Sequence, residues 1–486
     1  MKATDASEQF RRAQAAMEIL RRASVLLGEA VHLVAGECAS FQTLEALGMA
    51  ASRECDRMFL GAELQELADS FGDRISVGGV EYVEHSPGTV EYHSLSGPIE
   101  VRRSTYRRVG VHNGATVVPL DLEAGLIERA TPAMAKAAAL GYAKHELRGV
   151  LEDLECAHRV PPSRATMERM ACSIAAEANV AAPLIEKRLR RRELLPEGAH
   201  GIVLGLDRGS VPMAEERPAG KAPATRRRKR KQPYERKPPP PIDVNWRMAP
   251  VASVTITDAK GDALATRKYA ATAQDGWSAI LERAGADIAA ALKRNPSLAV
   301  ATVQDGAHEL WNLSRATLDA IPAVTSYLEC IDRYHVSERL GKILQIIEPD
   351  PADRKKENDR WQALLDTDAD GIDEIEKVVL RANRRLTGQD VEDLSEHVTY
   401  LRNNKDRMRY RDLAQAGLPV GSGAVESACN TVLNLRTKRN AEHWSNQGLR
   451  GVLTLRGIHQ SKRFDAFWMH LSKQYQSNVM PSARAA

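Results

Sequence analysis

The sequence predicts a multidomain chain of mixed α+β and α/β character, and three observations carry that prediction. Residues 7 to about 70 are rich in Ala, Leu, Glu and Arg with few breakers, which is helical patterning. From Ile75 to Val118 the chemistry changes to strands separated by Gly-containing turns. Beyond residue 200, short apolar runs such as Gly201-Ile-Val-Leu-Gly-Leu206 and Leu298-Ala-Val-Ala-Thr-Val-Gln304 alternate with helix-length segments, as buried strands do.

Taken in order, residues 1–74 form a helical region in which Met17, Leu20, Leu26 and Leu27 could make one apolar stripe, a packing or oligomer face. Residues 75–125 form a small β element, with strands at Val80–Val83, Thr89–His93 and Ile99–Arg108. Residues 126–198 return to helix. There Leu147–Cys156, a turn at Val160-Pro-Pro-Ser163 and a helix from Arg164 have helix-turn-helix length, with Ser163 as the cap; an ordinary helical hairpin has the same pattern. The basic cluster that follows, Arg188, Arg190, Arg191 and Arg192, suits phosphate contact or a solvated helix face.

Residues 199–336 carry the first part of a sheet domain. Within them, 214–243 read as a mobile basic and Pro-rich loop holding Arg226, Arg227, Arg228, Lys229, Arg230 and Lys231, then Pro238 to Pro241. Such a run gives phosphate affinity without sequence preference, or serves as a solvated tether. Strands resume at Val251–Thr257 and Ala263–Tyr269, then come a helix from about Trp277 to Lys293, the Leu298 strand, a helix through Trp311 to Leu318, and a strand from Ala323 to Cys330. Three strands, a helix, a strand, a helix and a strand is the element order of an RNase H-like domain, which places the ends of its first and fourth strands side by side. Residues 337–408 are charged and helical and read as an all-α insertion; 409–465 complete the domain, and 466–486 read as a C-terminal tail.

Composition is compatible with a nucleic-acid partner without demanding one. The charged fraction is 27% but the net charge only +4, so the distribution of cations matters more than their sum. Six cysteines, at 38, 55, 156, 172, 330 and 429, are scattered without CxxC pairing, which points to reduced thiols rather than a disulfide framework. No signal pattern and no run of about 18 apolar residues is present, so a soluble cytoplasmic protein is expected, away from membranes.

Three carboxylates then stand out. Asp207 closes the first apolar run, Asp305 closes the Leu298 run before a Gly306-Ala307 turn, and Glu426 lies just inside a helix opened by Gly421-Ser-Gly-Ala-Val425. Each could be only a turn former or a cap. Converging in space, they would offer hard divalent cations the oxygen ligands they need. Two such ions about 4 Å apart stabilise the attacking and leaving oxygens of a phosphoryl displacement.

The wording around these residues adds to the chemistry. Val303-Gln-Asp-Gly-Ala307, Ile331-Asp-Arg-Tyr-His-Val336, Gly417-Leu-Pro-Val-Gly-Ser-Gly-Ala-Val-Glu-Ser427 and Leu435-Arg-Thr-Lys-Arg-Asn-Ala-Glu-His-Trp444 follow one another in order. They resemble motifs of bacterial insertion-sequence DDE transposases, closest to the IS-Kra family, over most of residues 95 to 460. The resemblance implies an RNase H-like catalytic domain in which Asp207, Asp305 and Glu426 hold two Mg²⁺ ions, with Mn²⁺ as a substitute, and Asp207 bridges them. It implies cleavage at terminal inverted repeats and strand transfer into target DNA by a homo-oligomer, a dimer or larger, in the bacterial cytoplasm at the nucleoid. Asp332 and His335 match an Asp-x-x-His motif, with His335 either contacting the scissile phosphate or closing a strand. Asn430, one turn after Glu426, would orient its carboxylate. Arg436, Lys438 and Arg439 would meet DNA phosphates or face solvent, and Trp361 and Trp444 would stack on an unpaired base or pack in a core. Relatives commonly carry a zinc ribbon where this chain has Arg108 and Val111 in place of thiolates. With His112 alone no structural zinc is expected. An RNase H-like structure-specific nuclease, or a transposase-derived regulator without catalysis, are the other readings.

Overall fold

The computed structural model describes residues 3–35, 39–217, 242–438 and 442–481. It is a mixed α+β chain with two open five-stranded sheets, one in each of two compact units. The first unit comprises Met1–Ile174 with Leu471–Ala486, and the second Ala175–His470. Among the described residues no helix is long and apolar enough to cross a membrane.

In the first unit, helices Ala3–Ala35 and Phe41–Ser70 fulfil the helical patterning, and Ser40 caps the second by accepting the Thr43 N–H at 3.2 Å. Strands β1 (Arg74–Val77), β2 (Val80–Ser94), β3 (Gly97–Arg108) and β4 (Thr116–Val117) form an antiparallel sheet in that order. The two short strands expected at 80–83 and 89–93 are one. An irregularity between Glu84 and Ser86 absorbs the break, so Pro87 stays in register opposite Ser104. Leu64, Tyr92, Ile99, Val101, Leu120 and Leu126 make the core. Residues 466–486, expected as a tail, instead supply a strand, Val479–Pro481, that pairs with β1. Helices Pro132–Lys144 and Leu147–Cys156 follow the sheet. Ser163 accepts the Thr166 N–H at 3.3 Å at the start of the helix Arg164–Arg192, as a cap should.

The second unit is built on β5 (Gly201–Glu216), β6 (Ile242–Thr257), β7 (Ala263–Ala270), β8 (Ala299–Gln304) and β9 (Leu328–Ile331), in the order β7-β6-β5-β8-β9. The β5, β6 and β7 strands run antiparallel, while β8 lies parallel to β5 and β9 parallel to β8. Helices Ser278–Arg294 and His308–Asp319 connect β7 to β8 and β8 to β9. Alternate residues of β5 serve different cores. Ile202, Leu204 and Leu206 pack with Ile280, Ala284 and Ile288, whereas Val203 packs with Val303, Ile331 and Leu340.

Three boundaries differ from expectation. The first strand does not stop at Asp207 but runs on to Glu216, because β6 begins at Ile242 and pairs with it along its whole length. The basic loop expected over 214–243 is correspondingly shorter, and 218–241 lie outside the described residues. The strand expected from Ala323 is confined to Leu328–Ile331. The helical insertion consists of Arg333–Ile347, Pro351–Thr367, Gly371–Asn383 and Gln389–Asn404, closed around Leu344, Trp361, Ile375, Val379, Leu394 and Leu401. Its first helix starts directly after β9 rather than at 337.

Candidate active site

Asp207 sits between two glycines on one face of β5, since Gly205, Asp207 and Gly209 alternate with Leu206 and Arg208. That face is crossed by a helical stretch comprising Gly423–Ala428, a wider π-turn at Cys429–Asn434, and Leu435–Thr437. The glycines are what let it come close. A β-carbon on Gly205 would lie 2.8 Å from the Val425 β-carbon, and one on Gly209 would collide with the Leu433 side chain. Between these contacts Cys429 reaches Asp207. Burial pushes the Cys429 thiol up, and the hydrogen-bonded Asp207 carboxylate beside it adds to the effect. Asp207 also accepts the Arg208 N–H at 2.7 Å.

Asp305 follows β8 and is exposed. It accepts the Ala307 N–H at 3.1 Å, so it forms the turn that its Asp-Gly sequence suggests, with Gly306 at φ +98°. Because β5 and β8 run parallel in register from Gly201↔Ala299 to Leu204↔Thr302, Asp305 emerges on the strand beside Asp207. Tyr400, from the helical insertion, borders the same place. Burial raises its phenol, the Arg339 guanidinium 4.0 Å over its ring opposes, and the Asp305 and Asp332 carboxylates add to the rise.

Asp332 caps the helix that leaves β9. Its Oδ1 accepts the Tyr334 and His335 N–H groups at 2.7 and 3.1 Å, and its Oδ2 accepts the Ser422 N–H. Although burial pushes this carboxyl up, the Ser422 amide and the two helix amides hold it below the ordinary carboxylate range. The same residue therefore fixes both the helix bearing His335 and the turn that opens the Glu426 helix. The Ser422 hydroxyl donates to Glu426 Oε1 at 2.6 Å, and His335 Nε2 lies 3.9 Å from that oxygen.

Among the described residues, ligand atoms of Asp332, His335 and Glu426 come within 4.8 Å of one another, the spacing needed to share a metal ion. The expected trio of Asp207, Asp305 and Glu426 is not such a group. Ser422 turns the Glu426 carboxylate toward His335, Asp207 is engaged by Cys429, and Asp305 by its own turn. Asp332 is buried, His335 half-buried and Glu426 exposed. Asn430 is also exposed, and among the described residues it makes no hydrogen bond to Glu426, so Ser422 fills the orienting part expected of it.

Several residues expected to face DNA do not. Arg190 keeps only 11% of its side chain exposed and pairs with Asp287 at 3.4 Å and Glu186 at 3.7 Å, on the inward face of its helix. Arg436 is buried beneath Trp444, 4.7 Å from the ring centroid, with Glu442 3.5 Å away. Trp361 is fully buried and donates its Nε1–H to Glu357 at 2.7 Å, so it is a core residue. Trp444 is also buried, and its backbone joins the edge of β5 by giving its N–H to Pro212 and accepting that of Ala214. Arg188, Arg191, Arg192 and Lys438 are exposed. Arg226, Arg227, Arg228, Lys229, Arg230, Lys231 and Arg439 lie outside the described residues.

Sequence reasoning missed Ser422, Cys429, Tyr400 and Arg339. Ser422 was legible in principle, being a hydroxyl four residues before Glu426 at a helix start. Cys429 lies on the Glu426 helical stretch but far in sequence from Asp207, and Tyr400 and Arg339 come from the helical insertion; none of the three carries a local signal. No family model matches this chain, and no curated protein matches it.

Proposed function

We propose that the second unit is an RNase H-like catalytic domain and that the chain is a DDE transposase, cleaving and joining double-stranded DNA at the ends of an insertion sequence. The observation that carries this reading is the Gly205-Leu-Asp-Arg-Gly209 strand lying under the Glu426 helix with Asp305 on the parallel neighbour. The strand order, with three antiparallel members followed by two parallel ones, supports it.

Asp207 and Asp305, on adjacent strands, and Glu426, on the helix above β5, carry the carboxylate oxygens that hard divalent cations take and are at least partly open to solvent. In this structure those oxygens do not converge, and Glu426 would turn from His335 toward Asp207 to share an ion with them. Asp207, Asp305 and Glu426 would hold Mg²⁺ or Mn²⁺, which lowers the pKa of an attacking water or 3′-hydroxyl and stabilises the leaving oxygen. Ser422 keeps Glu426 oriented, Asp332 holds the turn beneath it, and His335 stands beside Glu426 where it can donate to a phosphate oxygen. Arg188, Arg191, Arg192 and Lys438 supply exposed cations for the backbone of DNA.

The test is cleavage of DNA carrying the sequences that flank the gene, with Mg²⁺ or Mn²⁺ and with chelator. Asp207→Asn, Asp305→Asn and Glu426→Gln should each reduce nicking and strand transfer to background while retaining DNA binding. Cleavage that persists in these variants or in chelator would remove the reading; cleavage without strand transfer would leave a nuclease.

A further inference from the structure

The far half of β6 is an open edge. Val251–Thr257 pair with β7, but Ile242–Ala249 have β5 as their one ladder partner among the described residues. The outward N–H and C=O groups of that half are a template for another strand. Folded proteins blunt such edges with charged side chains, Lys above all, with Pro or with a bulge. Ile242-Asp-Val-Asn-Trp-Arg-Met-Ala249 contains neither Lys nor Pro, its register with β5 is uninterrupted, and its two charges, Asp243 and Arg247, are already paired within the chain. One face of the same segment is a row of exposed apolar side chains, with Ile242, Val244, Trp246 and Met248 at 43, 50, 60 and 50% exposure.

We propose that this edge pairs antiparallel with the same segment of a second copy, on a two-fold axis through Asn245. The segment is complementary to itself in that register. Asn245 falls opposite Asn245, Val244 opposite Trp246, Ile242 opposite Met248, and Asp243 opposite Arg247. Directly opposed residues point to the same face. The four apolar residues of each copy therefore merge into one patch, and opposite charges meet on the other face. In the single chain Asp243 already pairs with Arg217, just past the end of β5, and Arg247 with Glu215 of β5. Pairing extends these into a four-charge row crossing the interface. The joined ribbons form one continuous sheet through both copies, a closed isologous contact that leaves no edge to propagate. The inference rests on strand geometry and not on the chemistry proposed for the acidic residues.

The test uses the full chain. Sedimentation at micromolar concentration should give twice the mass of one chain. Trp246→Asp should weaken the dimer by at least about tenfold while the chain still unfolds cooperatively, with any fall in melting temperature confined to concentrations where the parent is dimeric. Asn245→Cys should form an interchain disulfide on mild oxidation. Opposed residues of an antiparallel pair lie about 4.5–5.5 Å apart between α-carbons, inside the range of a disulfide. Met248→Cys should not, since two such residues would stand roughly 20 Å apart along the ribbon. The unaltered chain, whose Cys55, Cys156 and Cys172 are exposed, is the oxidation control. A single-copy mass for the unaltered chain overturns the proposal. So does a dimer that survives Trp246→Asp, or equal cross-linking at 245 and 248. Quenching of Trp246 by a single-stranded oligonucleotide on a single-copy chain would make the stripe a base-stacking surface instead, and also overturns it.

Discussion

Gly205 and Val425 approach so closely that any side chain on Gly205 must push the Glu426 helix off β5. The helix has no room to slide, because Gly209 meets Leu433 at its other end. Gly205→Ala should therefore cost about 1–3 kcal/mol, the usual range for overpacking. It should also lower metal-dependent cleavage more than its stability loss explains, since Glu426 moves relative to Asp207. Gly423→Ala, where a β-carbon meets nothing within 4 Å, is the control. Denaturant unfolding with parallel activity measurements checks this, and equal effects of the two variants would remove the close approach as the cause.

Asp332 holds two elements at once, so its loss should be felt at both. Asp332→Ala leaves the amides of Tyr334, His335 and Ser422 without their acceptor. The lost cap costs about 1 kcal/mol, and a buried amide left without a partner about 1–3 kcal/mol more. The Ser422 turn should loosen, and with it the orientation of Glu426. Ser422→Ala should then reproduce part of the activity loss with a smaller stability loss. Unfolding and turnover measured on both variants decide the matter, and full activity in Asp332→Ala would reduce the residue to a cap.

How much of this was legible in the sequence depends on the length scale of each signal. The order of strands and helices followed from apolar runs, because a buried strand must be continuous and a helix periodic. Asp305 and its turn were legible for the same reason, as Asp-Gly after such a run is a local signal. The continuation of β5 past Asp207 was not. Arg208 and Ser210 interrupt the apolar run and Pro212 suggests a break, yet pairing with β6 carries the strand to Glu216. The burial of Arg190 was hidden too, because its partner Asp287 is remote in sequence; Arg436 packs with Glu442 and Trp444 of its own segment, and Trp361 takes the core alternative. The turning of Glu426 toward His335 depends on Ser422 and Asp332, and is a tertiary fact.

Trp361 provides a clean separation of folding from DNA contact. It is fully buried among the insertion helices, so Trp361→Ala should destabilise by about 3–5 kcal/mol through the cavity it leaves. At temperatures where the variant remains folded, its affinity for DNA ends should equal that of the parent. An affinity loss without a stability loss would restore Trp361 as a base-stacking residue.

The run Arg226 to Lys231 yields a prediction from charge alone. Replacing these residues by Gln or Ser should weaken binding to specific and unrelated DNA by similar factors, because phosphate contacts carry no base information. The slope of log affinity against log salt should become shallower by roughly 0.9 for each lost contact on duplex DNA. Loss of specific binding alone, at a fixed slope, would mean that the run reads sequence.

Arg463 is a buried charge that joins two helices of the second unit. With 4% of its side chain exposed, it donates to Glu193 at 2.7 and 2.6 Å and to Asp287 at 3.0 Å, tying the end of the Arg164–Arg192 helix to Ser278–Arg294. Burial pushes the Asp287 carboxyl up, but Arg463, Tyr269 and Arg190 together hold it below the ordinary range. A depressed folded value contributes stability above the unfolded value, about 3.9, and that contribution is lost as pH falls through the folded one. Arg463→Met reverses the sign. Burial is then opposed mainly by Tyr269 and by Arg190 at 3.4 Å, the folded value rises, and the carboxylate becomes a penalty at neutral pH that disappears on acidification. The variant should lose about 3–5 kcal/mol at pH 7, as expected when one member of a buried pair is removed. The deficit should narrow as pH falls, and Asp287→Asn in the same background should recover part of it. Denaturant unfolding of both variants across pH 4 to 8 measures this directly. A deficit independent of pH and unrelieved by the second substitution would mean that Arg463 acts through packing of its stem rather than through its charge.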